Sequence, residues 1–523
     1  MKNIAEMLQQ TVKRMPDKTA LIYRDERLSY KDIFSRAYIL KEKLVEAGIR
    51  RGEVVGIYSD HTPAQVIAIF AIAMADGVFT IINSLLKDEQ IKHQISDANV
   101  TIIIGTKDFL SRLDELFINR QITAIELSTL GLLNVVTVDS KDIINPDELE
   151  ISSIPADVSN IIYTSGSTGL SKGVVISHRT LLDGARIVSG YLNITDKDII
   201  LSILPFSFDY GLNQLLTVIY TGAAIVLQKY IFPKDLIEVL IKEHITAFAA
   251  VPSLWPGLLN SKTMNQKDKS EFKNLRYITT AGGVHRKELL IQLTTTFPDT
   301  EIIIMYGLTE SFRSTYLPFS EIFKREGSIG KAVPEVEIIV LNDKGEHCLP
   351  GQKGELIHRG AFVNYGYLNN PELTNQRYIK LNTGGSGCIE EIAVRSGDLV
   401  SKDEDGFIYY HGRIDSQIKS RGYRISPEEV ETIVLAFKSV RNAAVISCPD
   451  NEFGESVNVA YETIDNIPVD HKNLMEHLKK FLPYYAVPKE IYFYEHLPTT
   501  SNGKIDYPAI RRNAISNNGI SIK

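Results

Sequence analysis

Apolar and polar positions follow two different periods along the chain. Short runs rich in aliphatic and β-branched residues, at 54–58, 100–104, 199–203, 223–228 and 301–305, read as strands. Beside them, apolar residues recur every three to four positions, as at 233–243 and 286–296, which predicts amphipathic helices. Strands alternating with helices imply an α/β fold of layered, largely parallel sheets. From 354 to 410 the texture changes: β-like segments at 355–359, 391–394 and 407–410 are separated by Gly, Asn and Asp turns, which predicts a small β-barrel or β-rich subdomain. Beyond Gly412-Arg413-Ile414-Asp415, the sequence Ser426-Pro427-Glu428-Glu429 reads as a helix start, with Ser as N-cap and Pro in the first turn. It opens a compact α+β run to the end. The expected organisation is a large N-terminal core over 1–414, including a β-rich subdomain from about 330, and a small α+β C-terminal domain over 415–523.

Composition narrows the class. The chain has 523 residues, 44% of them hydrophobic and 23% charged, with a formal net charge of −7. That excludes disordered and fibrous classes, and the lack of a basic surplus argues against a nucleic-acid or anionic-membrane binder. Three well-separated cysteines, Cys348, Cys388 and Cys448, exclude a disulfide framework and fit a reducing cytoplasm. The N-terminus lacks a signal-like apolar core. The longest apolar run, 66–75, ends at Asp76-Gly77 and is read as a buried core helix, well short of the roughly 20 residues of a membrane span. A cytoplasmic protein is expected.

The most informative segment is Tyr163-Thr164-Ser165-Gly166-Ser167-Thr168-Gly169-Leu170-Ser171-Lys172-Gly173. It follows a strand-like stretch and is expected to lead into a helical pattern. Its glycines allow close backbone approach, its hydroxyls and N–H groups can donate to phosphate oxygens, and Lys172 adds positive charge. The physical reading is a phosphate cradle. It is neither a P-loop, which would need Gly at Ser171 and a hydroxyl residue at Gly173, nor GxGxxG, because Thr164 stands at the first Gly.

This loop resembles the phosphate-binding motif of the adenylate-forming ligases: acyl-CoA synthetases, nonribosomal peptide synthetase adenylation domains and luciferases. Further matches follow in the family's order. They are Tyr306-Gly307-Leu308-Thr309-Glu310, Gly354-Glu355-Leu356, Gly397-Asp398-Leu399, the run from Gly412 to Ile425, and Asn502-Gly503-Lys504-Ile505-Asp506. The resemblance implies attack of a carboxylate on the α-phosphate of Mg-ATP, then displacement of AMP by a thiol. Under it, Thr164, Ser165, Gly166, Ser167, Thr168, Gly169 and Lys172 hold phosphates, and Tyr306 and the Gly282-Gly283 strand flank adenine. Thr309 meets the α-phosphate, Glu310 ligates Mg²⁺, and Asp398 takes the ribose hydroxyls with help from Arg413. Lys504 bridges the carboxylate and the α-phosphate. Asp415 is the hinge of a mobile C-terminal lid, and the Gly422 loop lines the path of the incoming thiol. ATP and Mg²⁺ are the implied cofactors.

Asp209 bears on the acid. It lies in the mostly apolar stretch Ile203 to Leu216, where a carboxylate needs a cation or several donors. A substrate ammonium could be that cation; equally, Asp209 could cap the helix beginning near Tyr210. The segment from Phe208 to Ala223 resembles the part of amino-acid-activating adenylation domains that carries the amine-binding Asp. On that resemblance the substrate is an amino acid, with Tyr210 and Asn213 lining a modest, partly polar side-chain pocket.

Other features depart from peptide-synthetase usage: 382–388 and Ala393-Val394-Arg395-Ser396 before Gly397, Tyr507 after Asp506, and Ser311-Phe312-Arg313-Ser314 after the Tyr306 motif. With Ser207-Phe208-Asp209-Tyr210-Gly211 they resemble stand-alone exosortase-associated acyl-CoA ligases, which keeps an acyl-CoA synthetase for a non-amino acid as the alternative. The 511–523 tail is too short for a carrier domain, so the thiol, from a carrier protein's phosphopantetheine or CoA, is expected in trans. A catalytically silent homologue is disfavoured by the presence of Lys504, Glu310 and Asp398. His178, His285 and His411 are read as ordinary structural histidines.

Overall fold

The structure is a computed structural model. It describes all residues except 117–121, 128–143, 165–170, 230, 283–284, 286, 382–389, 415–416, 499–504, 517–519 and 522–523. Among the described residues the strands form three sheets. In the largest, Ala224–Leu227, Ile199–Ser202, Ala247–Ala250, Tyr277–Thr280 and Glu301–Tyr306 lie side by side and parallel. All three side chains of the mid-strand triplets Ile225–Leu227, Phe248–Ala250 and Ile302–Ile304 are buried, which explains why these strands read as continuous apolar runs rather than alternating ones. A second sheet runs Thr123–Leu127, Ile102–Thr106, Val54–Tyr58, Val78–Ile81, Val158–Thr164 and Lys172–Ser177. Its last strand is antiparallel.

The apolar run at 66–75 lies in the helix Pro63–Met74 and its C-cap Ala75, and every residue of the helix is buried. Among the described residues no helix is long and apolar enough to cross a membrane.

The β-rich stretch is joined to the parallel sheet. Thr315–Leu317 pairs with Glu301–Tyr306 and with Ser328–Ala332, which pairs in turn with Ile408–Arg413. Hydrogen bonding therefore runs unbroken from the parallel strands into Glu391–Lys402 and Lys353–Gly360. After 417 a third sheet, built on Val440–Asp450 and Gly454–Thr463, has its own buried core. Its helix Pro427–Leu435 starts as the sequence predicts: Ser426 is the N-cap, Pro427 is the first residue, and the Ser426 hydroxyl accepts from the Glu429 N–H.

In the parallel sheet, Ala224–Leu227 lies on one side of Ile199–Ser202 and Ala247–Ala250 on the other, so the winding reverses at that strand. Ligands of open α/β sheets sit beyond the carboxyl ends of strands at such a reversal.

Candidate active site

A cavity of about 680 Å³ lies at that reversal. Its wall consists of residues that follow strand ends: Leu204 to Tyr210, Val251, Ala281-Gly282 and Gly307 to Thr309 from the large sheet. The second sheet adds Ser59 to His61, Ile81 to Leu86 and Thr164. Two sheets thus point their carboxyl ends into one crevice, and the hairpin of the C-terminal domain closes it with Arg421 to Ile425.

Asp398 and Arg413 face each other across antiparallel strands, with Arg413 Nη1 2.8 Å from Asp398 Oδ1. Asp398 is fully buried, and its other oxygen accepts the Tyr306 hydroxyl. Burial works against its charge, yet Lys419, Arg413, Arg424 and the Tyr306 hydroxyl outweigh it and hold the carboxyl below its ordinary range. Lys419 lies over the rings of Tyr306 and Tyr410, at 5.6 and 5.2 Å. Burial, reinforced by the neighbouring arginines and opposed by Asp398, lowers its ammonium to about 8. The result is an acceptor-only carboxylate beside an aromatic face, ringed by cations: a donor–acceptor set suited to a sugar diol and a base.

Glu310 is buried one turn beyond Tyr306. Its Oε1 accepts from the Tyr367 hydroxyl at 2.6 Å, and its Oε2 lies 3.4 Å from Arg424 Nη1. Burial would raise this carboxyl, but Arg424 and the Tyr367 hydroxyl bring it below its ordinary value. Asn364 fixes the turn by donating to the Thr309 carbonyl at 2.8 Å. Among the described residues no cluster of three or more His, Cys, Asp or Glu could cage a metal. One ionised carboxylate with lone pairs to spare still fits Mg²⁺, which keeps most of its waters and shares substrate phosphates.

Thr164 and Lys172 are cross-strand partners at the base of a hairpin. The loop therefore leads into a second strand, Lys172–Ser177, and not into the helix the sequence suggests; the helix begins only at His178. Val174, Val175 and Ile176 give that segment its strand preference. Lys172 Nζ lies 5.9 Å from the centre of the Tyr367 ring, the same ring whose hydroxyl holds Glu310. Ser165, Gly166, Ser167, Thr168, Gly169, Gly283, Asp415 and Lys504 lie outside the described residues.

The hairpin Ile418–Ser420 and Tyr423–Ile425 presents its turn to the large domain. Gly422 has φ +82°, and a Cβ there would come within 2.9 Å of Val251 Cγ1, so this contact needs glycine. Tyr423 stacks on Tyr485 at 3.7 Å and meets Phe208 edge-on at 5.3 Å. Glu429 accepts from Gln90 Nε2 at 2.9 Å, a second contact between the two parts of the chain.

Asp209 is the first residue of the helix Asp209–Thr221; the N-cap is Phe208. Its Oδ1 accepts the Tyr210 N–H at 2.7 Å, so it does serve the helix start, but its carboxylate also faces the cavity. Burial raises it, with Arg313 pulling the other way. Tyr210 forms the floor, its hydroxyl donating to Thr279 Oγ1 at 2.8 Å. Asn213 sits behind that floor, on a separate void of about 20 Å³. Arg313, which sequence reasoning assigned no role, lies 4.9 Å from the Tyr210 ring centre and lines the cavity. His61 was also missed: it packs edge-on against Phe206 at 4.3 Å, and burial lowers it to about 4, so it is neutral. His178 and His285 are likewise neutral, each lowered to about 4 by burial, as expected of structural histidines. His411 is bonded to Ser401.

Comparison with known proteins agrees with this geometry. A family model described as "AMP-binding enzyme" matches residues 8–368, and "AMP-binding enzyme C-terminal domain" matches 429–504. Bacitracin synthase 3 of Bacillus licheniformis is 30% identical over 97% of this chain, which spans only 8% of that protein's length. Zwittermicin A synthase ZmaJ of Bacillus cereus is 27% identical over 96% of this chain and 93% of its own. Among solved structures, a double mutant of o-succinylbenzoate CoA synthetase from Bacillus subtilis, bound with its product analogue OSB-NCoA, superposes with a TM-score of 0.84. It is 23% identical, and both chains are covered in full. A crevice fed by two sets of strand ends, matched over so much of its length by one family, makes this chain a member of the AMP-binding enzymes, the adenylate-forming ligases.

Proposed function

We propose that this protein activates an amino acid with ATP, giving an aminoacyl-adenylate and pyrophosphate, and passes the acyl group to the phosphopantetheine thiol of a carrier protein in trans. The observation that carries the reading is a pair of adjoining cavities: Asp209 and Thr309 line the crevice, while Tyr306 and Arg413, both bonded to the buried Asp398, line a neighbouring cavity of about 910 Å³ that shares Gly282, Gly307 and Lys419 with it.

In the first half-reaction a substrate carboxylate oxygen bonds to the α-phosphorus while the bond to pyrophosphate breaks. The charge that builds on phosphoryl oxygens is met by prepositioned donors and cations. Thr309 offers its hydroxyl there, Lys172 and the Ser/Gly loop cradle the departing phosphates, and Lys504 holds the carboxylate against the α-phosphate. Mg²⁺ supplies neutralising charge on the phosphates when it is bound at Glu310. Asp398 orients the ribose, and Tyr306 presents its ring to the base. Asp209 accepts from the substrate ammonium, which removes the cost of its own burial.

In the second half-reaction a thiolate attacks the acyl carbon and AMP leaves. The 415–523 lid turns about Asp415 so that the Gly422 turn, rather than Lys504, faces the crevice, and Tyr423, Phe208 and Val251 line a narrow way in for a pantetheine arm.

The test is acid-dependent ATP–pyrophosphate exchange across amino, fatty and aryl acids. Exchange with an amino acid that disappears in Asp209→Ala, and with every acid in Lys504→Ala, is the expected result. Exchange only with unaminated acids, indifferent to Asp209, would replace this reading with an acyl-CoA synthetase.

A further inference from the structure

The floor of the acid pocket holds a charge that the two half-reactions do not use. Arg313 is only 3% exposed, and its Nε and Nη2 have no hydrogen-bond partner among the described residues. Those two atoms form the edge of the guanidinium that grips a carboxylate with two parallel hydrogen bonds. A buried cation with its fork empty is among the most costly things a fold can keep, unless a ligand completes it.

Its surroundings do not complete the fork. Below it lies the ring face of Tyr210, 4.9 Å from the guanidinium carbon, with the hydroxyl turned away to Thr279. Asp209, on the same cavity wall, takes its hydrogen bond from the Tyr210 N–H. The backbone aims the side chain deliberately. Phe312, fully buried, sits at φ +52°, a conformation costly for a residue with a Cβ. Its ring fits only because position 184 is glycine: a Cβ there would lie 2.5 Å from Phe312 Cε1. The strained residue is locked by packing, and the next residue, Arg313, is held at the cavity wall.

We infer that the acid this protein activates carries a second carboxylate, held bidentately by Arg313 on the pocket floor while the substrate ammonium meets Asp209. The substrate class is therefore an amino dicarboxylic acid. The reacting carboxyl is the one that lies towards Thr309. This inference rests on the proposed adenylation reading and adds to it the identity of the distal group. The pocket presents one acceptor-only and one donor-only charge, the complement of such a zwitterion. Tyr210 limits its depth, which favours a short spacer between the carboxyls.

The experiment compares matched acids in ATP–pyrophosphate exchange with the wild-type enzyme: aspartate and glutamate, each beside both of its monoamides, together with alanine. Whichever carboxyl reacts, one monoamide keeps it and neutralises the other. The diacid is expected to exceed both of its monoamides by about 100-fold or more in kcat/KM. In Arg313→Gln that gap is expected to shrink below about tenfold. The diacid is also expected to raise the melting temperature of the wild-type protein without ATP, and to lose that effect in the variant. If Arg313→Gln does not fold, the wild-type comparison and the thermal shift decide. A monoamide or alanine used as well as the diacid overturns the inference and leaves adenylation standing. So does a gap that Arg313→Gln leaves unchanged. Exchange with none of a wider set of acids overturns the adenylation reading itself, and this inference with it.

Discussion

Arg424, on the hairpin of residues 418–425, reaches across to Glu310 of the large domain, with Nη1 3.4 Å from Oε2. Both are largely buried, and the two residues lie 114 positions apart. A guanidinium thus stands at the carboxylate proposed to serve the metal, and under the proposed lid motion it does so only while the C-terminal part is docked in this orientation.

On the proposed lid motion, the pairing predicts that Arg424 acts as a clasp for the docked state. Replacing it with Ala removes the cation that offsets burial of Glu310. The thioester-forming step, measured by single-turnover transfer from preformed adenylate, is expected to slow about tenfold or more, the effect of losing a partly buried charge pair. Pyrophosphate exchange is expected to fall by much less. Equal loss in both assays would place Arg424 in the chemistry of the first step and end its reading as a clasp.

Glu429 predicts how docking responds to pH. Burial against the large domain raises its carboxyl from the ordinary glutamate value to about 7, opposed by the Gln90 hydrogen bond. The docked state therefore binds a proton more readily than the free lid. Its stabilisation is full below the solvated value and is lost as pH rises through about 7. A fluorescence pair on exposed positions flanking Gln90 and Glu429 should report more docked lid at about pH 6 than at about pH 8, and Glu429→Gln should flatten the dependence. A profile rising with pH contradicts the sign.

Parts of this site are legible in the sequence and parts are not, for physical reasons. Local chemistry is legible: Ser426-Pro427 starts a helix because capping is a matter of neighbouring residues, and the strand runs are apolar because both faces are covered. Asp398 and Arg413 are both visible as motif residues, but their pairing depends on the register of two strands, which the residues alone do not state. The strand after the phosphate loop is misread as helix because a short apolar run fits either period. Arg313 is visible only as a departure from family usage. Its meaning comes from burial and an empty fork, both properties of the folded pocket. His61 and Tyr367 join the site solely through convergence of separate strand ends and loops.

Gly422 tests whether the lid contact sets the second half-reaction. With φ +82° and Val251 Cγ1 within 2.9 Å of any Cβ, Gly422→Ala is strained in its backbone and clashes with the wall it faces. Thioester formation is expected to drop by about tenfold or more while exchange stays within about twofold. Val251→Ala in the same chain removes the closest contact, leaving its Cβ at 3.2 Å, but not the backbone strain, so it is expected to restore part of the loss. Full activity of Gly422→Ala in both assays would show that the turn does not enter the crevice during transfer.

The Asp398–Arg413 pair carries the last prediction, on stability. The Arg413 side chain is 7% exposed and that of Asp398 fully buried, so each charge offsets part of the other's cost of burial. Asp398→Ala leaves the guanidinium buried without that carboxylate; the Ser396 carbonyl, 3.2 Å from Nη1, is a neutral acceptor and cannot replace its charge. Breaking one half of such a pair costs about 3–5 kcal/mol, more than the pair itself contributes relative to apolar replacements. Denaturant unfolding should therefore show Asp398→Ala to be markedly less stable than the double variant Asp398→Ala with Arg413→Met, although both lose affinity for ATP. If the double variant is as unstable as the single one, the lost free energy belongs to packing around Tyr306, whose hydroxyl also ends on Asp398, and not to the charge that Asp398 offsets on Arg413.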